Sequence, residues 1–348
     1  IDELMALPDP IGQIQLGREL TEGLKLYQIS CPIGVIGVIF ESRPDALVQI
    51  ATLCLKSGNG VLLKGGKEAL HTNRALYDAI VLGGERAGLP AGWIGLIETR
   101  DEVKEMLACD EDIDLIIPRG SNAFVKYIME NSMIPVIGHA DGLCHIYIDK
   151  QANVDLAVKV VVDAKTQAVA VCNAVETLLI HQNIADQALP QIAKALEGEG
   201  VTLVGDEKAS RYYFMDIATD VDWETEYLDK KIAIKVVENI EEAITHINRY
   251  GSGHTDAIIT EDEKAVKRFM MLVDSAGVYH NCSTRFADGY RYGFGAEVGI
   301  STGKIHARGP MGLEGLCTYK YQLFGTGNTV GEMEAGKKKY TFKPLQNN

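Results

Sequence analysis

The stretch VIGVIF (35–40), followed by ESRPDALVQIATLCLK (41–56) and SGNGVLLKGGKEA (57–69), decides the fold. The first run is continuous and rich in β-branched residues, the pattern of a strand buried on both faces. Residues 45–56 then carry Leu47, Ile50, Ala51, Leu53 and Cys54 at helical spacing, and 60–63 reads as the next strand. A strand, a helix and a second apolar strand in about thirty residues make one parallel crossover unit. The same alternation continues outward. Helices are expected at 72–87, 102–108 and 122–129, the last capped by Ser121, and strands at 93–97, 113–117, 135–137 and 145–148. A second series has strands at 177–180, 201–204, 232–237 and 256–259 among helices at 154–164, 186–196, 240–249 and 264–273. This succession predicts an α/β protein with doubly wound parallel sheets in two domains, divided near 149–153. The segment after Gly331 is polar and Lys-rich and reads as a mobile tail.

The chain has 348 residues, 46% hydrophobic and 24% charged, an ordinary globular balance with room for two or three domains. A net charge of −14 argues against nucleic acid or an anionic membrane as the main partner. The 7 cysteines contain no CxxC pair, so they read as reduced thiols of the cytoplasm, and His139, His254 and His280 lack metal-like spacing, so no metal is expected. The start, Ile1-Asp2-Glu3, has neither a basic region nor a signal core, and the longest apolar run, 33–40, is too short to span a bilayer.

The chemistry centres on Cys172 in AVCNA (170–174), just before the strand-like VETLLIH (175–181). A thiol among small residues beside a strand is well placed as an exposed nucleophile, and a partly formed thiolate suffices for acyl transfer. Two segments at strand exits suit a dinucleotide. Lys64-Gly65-Gly66-Lys67 offers close backbone approach and positive charge to a phosphate or ribose, and Gly120-Ser121 opens a helix whose N–H groups suit a pyrophosphate. Each alone also fits an ordinary turn, but their recurrence after successive strands favours one nucleotide crevice. There is no GxGxxG, and Gly34-Val35-Ile36-Gly37 lies within a strand. In HNCSTRF (280–286), Ser283, Thr284 and Arg285 suit a carboxylate, which a guanidinium grips bidentately. The glycine- and charge-rich run 295–312 reads as a loop shaping a site.

These motifs, with TEYLD (225–229), NRYGSGHTDAI (248–258), NCSTRFADG (281–289) and STGKIHARGPMGLEGL (301–316), resemble the γ-glutamyl phosphate reductase (glutamate-5-semialdehyde dehydrogenase) family of the aldehyde dehydrogenase superfamily. The likeness runs from Leu7 to about Gly327. It implies an aldehyde-dehydrogenase-like fold: a Rossmann-type NADP-binding domain (1–16 and 32–149), an α/β catalytic domain (150–316), a small β oligomerisation flap (17–31 and 317–330) and the tail 331–348. The family usually carries a helical leader ahead of the point where this chain begins. The implied activity is that of an NADP-dependent, phosphorylating glutamate-5-semialdehyde dehydrogenase of cytoplasmic proline biosynthesis. L-Glutamyl 5-phosphate is reduced by NADPH, through a Cys172 thioester, to L-glutamate 5-semialdehyde and phosphate. By resemblance Arg43 stands where oxidising relatives hold the oxyanion with asparagine, Asn173 and Arg308 join the substrate residues, and Glu226 holds the nicotinamide ribose. Lys67 stands where NAD-using relatives carry a glutamate, which favours NADPH. The implied partners are further copies of the chain, as a homodimer or higher homo-oligomer, and a glutamate kinase, with no nucleic acid and no membrane.

Two departures stand out. The water-activating glutamate of the oxidising relatives' E-L-G-G-K motif is replaced in IGHADG (137–142), Gly138 being the nearest residue. The family's tyrosine-proline-alanine-alanine before the cysteine is Ala168-Val169-Ala170-Val171 here. Other readings are a semialdehyde-oxidising dehydrogenase, a non-enzymatic relative with a silent Cys172, and a piece of a bifunctional synthase with an attached kinase.

Overall fold

A computed structural model describes residues 1–41, 44–98, 101–139 and 141–345, with the side chains of 101 and 102 excepted. They form two compact units: Ile1–Ser121 with Tyr127–Ile137 and Met311–Asn348, and Asn122–Lys126 with Gly138–Pro310.

In the first unit, strand Val35–Phe40 is buried almost throughout, as its apolar run requires, and it lies inside a four-stranded parallel sheet. The order is Ile94–Ile97, Gly60–Lys64, Val35–Phe40, Leu115–Arg119. The chain moves outward in one direction and then returns to the other side of Val35–Phe40. That reversal puts a topological switch point at the C-terminal ends of Val35–Phe40 and Leu115–Arg119. Helix Pro44–Lys56 covers this sheet through Leu47, Ile50, Leu53 and Cys54. Gly37 serves packing: a Cβ there would fall 2.2 Å from Met106 Cε and 2.5 Å from Ile116 Cδ1. The expected strand at 135–137 shrinks to a single bridge, Ile116 to Val136.

The same unit holds an antiparallel sheet of Cys317–Phe324, Leu24–Pro32, Ile14–Thr21 and Lys343–Pro344. The supposed mobile tail is therefore engaged. It forms helix Val330–Glu334, then pairs Lys343 with Glu19 and Pro344 with Arg18. The outer strand Ile14–Thr21 has backbone groups to satisfy, and this segment supplies partners despite its polar composition.

The second unit is a seven-stranded, wholly parallel sheet: Asp216–Ile217, Thr202–Gly205, Lys231–Val237, Val175–His181, Cys144–Ile148, Thr255–Ile259, Gly277–His280. Ile146, Ile148, Leu178 and Ile180 point to one face, where helices Val154–Thr166 and Ala185–Gly198 pack. Tyr147, Leu179 and Ile258 point to the other, under Ile240–Tyr250 and Glu263–Leu272. Strand Cys144–Ile148 sits between Val175–His181 and Thr255–Ile259, so the division falls near Gly138, not near 149–153. Every residue of CHIYI is buried, and only a position with neighbours on both sides satisfies its backbone.

Candidate active site

Cys172 lies in a short turn, closed by Ala174 N–H donating to the Val171 carbonyl (3.0 Å), immediately before strand Val175–His181. That places the thiol at the N-terminal edge of the seven-stranded sheet, half-buried. Two neighbouring strands begin at the same edge. The thiol of Cys144, which opens strand Cys144–Ile148, donates to the Cys172 carbonyl (3.3 Å), and burial pushes that thiol well up, so Cys144 stays protonated. Gly142 is pressed against Cys172: a Cβ on it would lie 2.2–2.5 Å from the Cys172 carbonyl oxygen, Cα and Cβ. His254, just before strand Thr255–Ile259, is buried, and burial pushes it down to about 3. His139 Nδ1 lies 2.8 Å from the Ile300 carbonyl and must donate to it. One nitrogen of each ring and the Cys172 sulfur lie within 4.8 Å of one another. Sequence spacing held no sign of this grouping, because the three residues come from separate loops.

Of the expected substrate residues, Asn173, Ser283, Thr284 and Arg285 lie near Cys172. Asn173 Nδ2 donates to the Ala287 carbonyl (2.8 Å), and Thr284 Oγ1 donates to the Asn173 carbonyl (2.7 Å), which clamps the turn to the segment 283–287. Asn173 Oδ1 is buried without a hydrogen-bond partner. Arg285 is 8% exposed; its Nε donates to Gln167 Oε1 (2.9 Å), and its terminal nitrogens have no protein partner among the described residues. Burial, then Arg291, lower its pKa, while the Cys172 sulfur acts in the opposite sense. Ser283 is buried and its Oγ accepts from Arg285 N–H (3.3 Å), so it shapes the turn that carries the guanidinium. Arg308 is engaged differently. Its guanidinium holds Asp274 (3.1 Å to Oδ1), which also pairs with Lys304, beside a cavity of about 290 Å³ that includes Ser252 and Gly253.

Glu226 lies half-buried in the same unit, accepting from Asn122 Nδ2 (2.5 Å) and from Gly142 N–H. Burial raises its pKa and these bonds oppose the rise. Sequence reasoning passed over Glu176 and Lys165, although a charge inside VETLLIH is a signal in itself. Glu176 Oε2 and Lys165 Nζ form a fully buried ion pair (2.6 Å), and Glu176 Oε1 accepts from Leu228 N–H (3.3 Å). Burial raises Glu176 and lowers Lys165, each opposed by the other's charge. The pair ties the strand after Cys172 to the TEYLD segment.

The expected dinucleotide residues lie in the first unit, at the C-terminal edge of its parallel sheet. Lys64 is buried with Nζ donating to the Gly65 carbonyl (2.6 Å), whereas Lys67 is exposed. Gly65 has no room for a side chain, since a Cβ would fall 2.1 Å from Asn73 Nδ2. The Glu68 carboxylate lies against Gly66, so a phosphate in this segment would be met by Lys67. Gly120 and Ser121 are exposed at the switch point, but Ser121 makes no side-chain cap and its N–H donates to Glu41 Oε2 (2.8 Å). The place proposed for a pyrophosphate thus holds a carboxylate, which satisfies the same helix N-terminus. Arg43 lies outside the described residues.

Residues 12–210 match the aldehyde dehydrogenase family. The chain is 62% identical over 330 residues to the γ-glutamyl phosphate reductase of Acetivibrio thermocellus, covering 95% of this chain and 77% of that protein. It is 61% identical over 343 residues to that of Pelotomaculum thermopropionicum, covering 99% and 79%. Among solved structures, the γ-glutamyl phosphate reductase of Thermotoga maritima aligns with a TM-score of 0.92 at 42% identity, covering 94% of this chain and 80% of that one.

Proposed function

The chain belongs to the aldehyde dehydrogenase family, on its γ-glutamyl phosphate reductase branch, and on that premise we propose that it reduces L-glutamyl 5-phosphate to L-glutamate 5-semialdehyde and phosphate with NADPH. It is an oxidoreductase of that family, and no helix among the described residues is long and apolar enough to cross a membrane. The observation that carries the reading is the convergence at one sheet edge of the half-buried Cys172 thiol with the Arg285 guanidinium end and the Asn173 oxygen, both without a partner among the described residues.

The Cys172 thiolate attacks the acyl carbon of the mixed anhydride. A C–S bond forms, the C–O bond to phosphate breaks, and phosphate leaves with the electron pair. Arg285 grips the α-carboxylate and the Asn173 oxygen accepts from the α-ammonium, which fixes the acyl carbon over the sulfur. The Cys172 N–H is an oxyanion donor, and the family likeness implies Arg43 as a second. No carboxylate stands at Gly138 to activate water, so the thioester persists. Lys67, in the first unit, would hold the 2′-phosphate of NADPH, and the family likeness implies Glu226 for the nicotinamide ribose. When bound, this cofactor supplies the hydride that takes the thioester to the aldehyde level.

Strand Cys317–Phe324 lies at the edge of its sheet with Tyr319, Tyr321, Leu323 and Phe324 exposed. An apolar edge of this kind suits a second copy of the chain, hence a homodimer or higher homo-oligomer. A mixed anhydride hydrolyses readily, so a glutamate kinase should hand it over. All seven cysteines are free, which suits the cytoplasm. The decisive test is a coupled assay with glutamate, ATP, a glutamate kinase and NADPH. Absorbance loss that requires the kinase and glutamate supports the reading. No loss, or equal loss without the kinase, overturns it.

A further inference from the structure

Among the described residues, His139, Cys172 and His254 are the one group of three or more His, Cys, Asp or Glu side chains whose ligand atoms come together, all within 4.8 Å. Two features make this more than a chance approach. First, each ring is held from its other side. His139 donates through Nδ1 to the Ile300 carbonyl (2.8 Å), and His254 Nδ1 faces Thr255 Oγ1 (2.9 Å) and Cys144 Sγ (3.8 Å). Metal-binding imidazoles are usually fixed in this manner by a partner on the second nitrogen. Second, His254 is 1% exposed, and its Nε2 is buried without a hydrogen-bond partner among the described residues.

We propose that Cys172, His139 and His254 form a binding site for a zinc-class divalent ion, and that occupation switches the nucleophile off reversibly. One thiolate and two neutral imidazoles select borderline-soft ions such as Zn²⁺ and Co²⁺ over Mg²⁺ or Ca²⁺, which prefer oxygen. Tetrahedral bonds of about 2.0–2.3 Å separate ligand atoms by roughly 3.3–3.8 Å. The three atoms, no more than 4.8 Å apart, need to close by at most about 1 Å, a movement shared between the half-buried side chains of Cys172 and His139. The fourth position falls to water. On binding, the S–H proton is released to solvent, the sulfur donates a pair to the ion, and no oxidant is needed. A sulfur whose negative charge is shared with the ion attacks an acyl carbon far more slowly than a free thiolate. The site requires only that Cys172 be an accessible thiol, so it goes beyond the reductase reading and survives that reading's failure.

The test uses the full chain, freed of metal by a chelator and titrated with Co²⁺ and then Zn²⁺. One equivalent of Co²⁺ should bring up a thiolate-to-cobalt charge-transfer band. Zn²⁺ should displace it and protect one thiol from an electrophile, with a chelator restoring reactivity. The band should vanish in Cys172→Ser. In His139→Asn, Zn²⁺ affinity should fall at least tenfold. Cys172→Ser and His139→Asn replace half-buried side chains and should melt like the parent, which separates loss of metal from loss of fold; the buried His254→Gln should also bind at least tenfold more weakly. A cobalt spectrum unchanged by Cys172→Ser, equal Zn²⁺ affinity in the histidine variants, or no stoichiometric binding would overturn the site. A chain that binds Co²⁺ through Cys172 but fails the coupled assay would keep the site and sink the reductase reading.

Discussion

Gly142 leaves no space for a β-carbon against Cys172: the nearest atoms of that cysteine, its carbonyl oxygen, Cα and Cβ, would all be within 2.5 Å. The neighbour is backbone, which cannot swing aside like the end of a long side chain. In Gly142→Ala the Cys172 turn has to shift, and displacement of a reacting atom by about 1 Å can lower rate by about a hundredfold. The expected outcome is kcat down tenfold or more, slower labelling of Cys172 by an electrophile, and a melting temperature only modestly lowered. Parental kcat and labelling rate would show that the turn adapts and that the contact has no bearing on reactivity.

Deleting the sulfur should be more severe. Cys172→Ala removes one half-buried atom and little packing, so the fold should hold while turnover disappears. Cys172→Ser should be nearly as inactive, because a hydroxyl without an adjacent base is a poor nucleophile. Steady-state rates decide this. Activity in Cys172→Ala above about a hundredth of the parent, a deficit under ~3 kcal/mol, would rule the sulfur out as nucleophile.

What could be read in the sequence follows from how local its cause is. Runs such as 35–40 and 175–181 are legible because burial on both faces demands unbroken apolar residues. The run 144–148 is equally legible as a strand, yet its sheet is not, since its partners at 175–181 and 255–259 are chosen by long-range pairing. Ser121 at the start of a helix suggests a cap, but whether its N–H meets a ligand depends on Glu41, distant in sequence and adjacent in space. Cys172 and Arg285 sit in local patterns that carry their chemistry. His139, His254 and the Lys165–Glu176 pair acquire meaning only once separate loops and elements meet.

Arg285 and Arg43 should fail differently. Arg285→Ala leaves the substrate carboxylate without its charge-assisted partner, a loss of typically ~2–4 kcal/mol. KM for glutamyl phosphate should rise while NADPH affinity stays the same. Arg285→Lys should recover little, since an ammonium cannot reproduce the planar fork. Arg43→Ala should lower kcat, as befits a donor whose contact strengthens while the oxyanion forms. If both variants lose only cofactor affinity, this assignment of roles falls.

Acid should destabilise the second unit through His246. Burial pushes this histidine from 6.5 down to about 2, and His145, Lys235 and Arg249 act in the same sense. It is therefore neutral in the folded chain and takes up a proton on unfolding below about pH 6.5. The unfolded state then binds more protons, so stability is present above the unfolded pKa and falls with pH through the window from 6.5 towards 2. The slope from this group is roughly 1.4 kcal/mol per pH unit. Urea unfolding at pH 7.5 and 5.5 should show a smaller loss in His246→Gln than in the parent, by about 1.4 kcal/mol. Equal losses would mean that other groups dominate acid unfolding.

Cofactor choice should turn on Lys67. It is exposed beside Gly66 at the C-terminal edge of the first unit's sheet, while Lys64 directs its ammonium at the Gly65 carbonyl and Glu68 packs over Gly66. Of the two lysines, Lys67 is the one placed to meet an incoming phosphate from solvent. An ammonium attracts the 2′-phosphate of NADPH, and a carboxylate repels it while accepting from the 2′-hydroxyl of NADH. Lys67→Glu should weaken NADPH and spare NADH, shifting the ratio of kcat/KM for the two cofactors by tenfold or more, about 1.4 kcal/mol. The preference should also shrink with added salt in the parent, because an exposed charge pair is screened, and that salt dependence should be lost in the variant. A parallel loss for both cofactors, or none, would make Lys67 a solvated lysine at the start of its helical turn and move the discrimination to other residues.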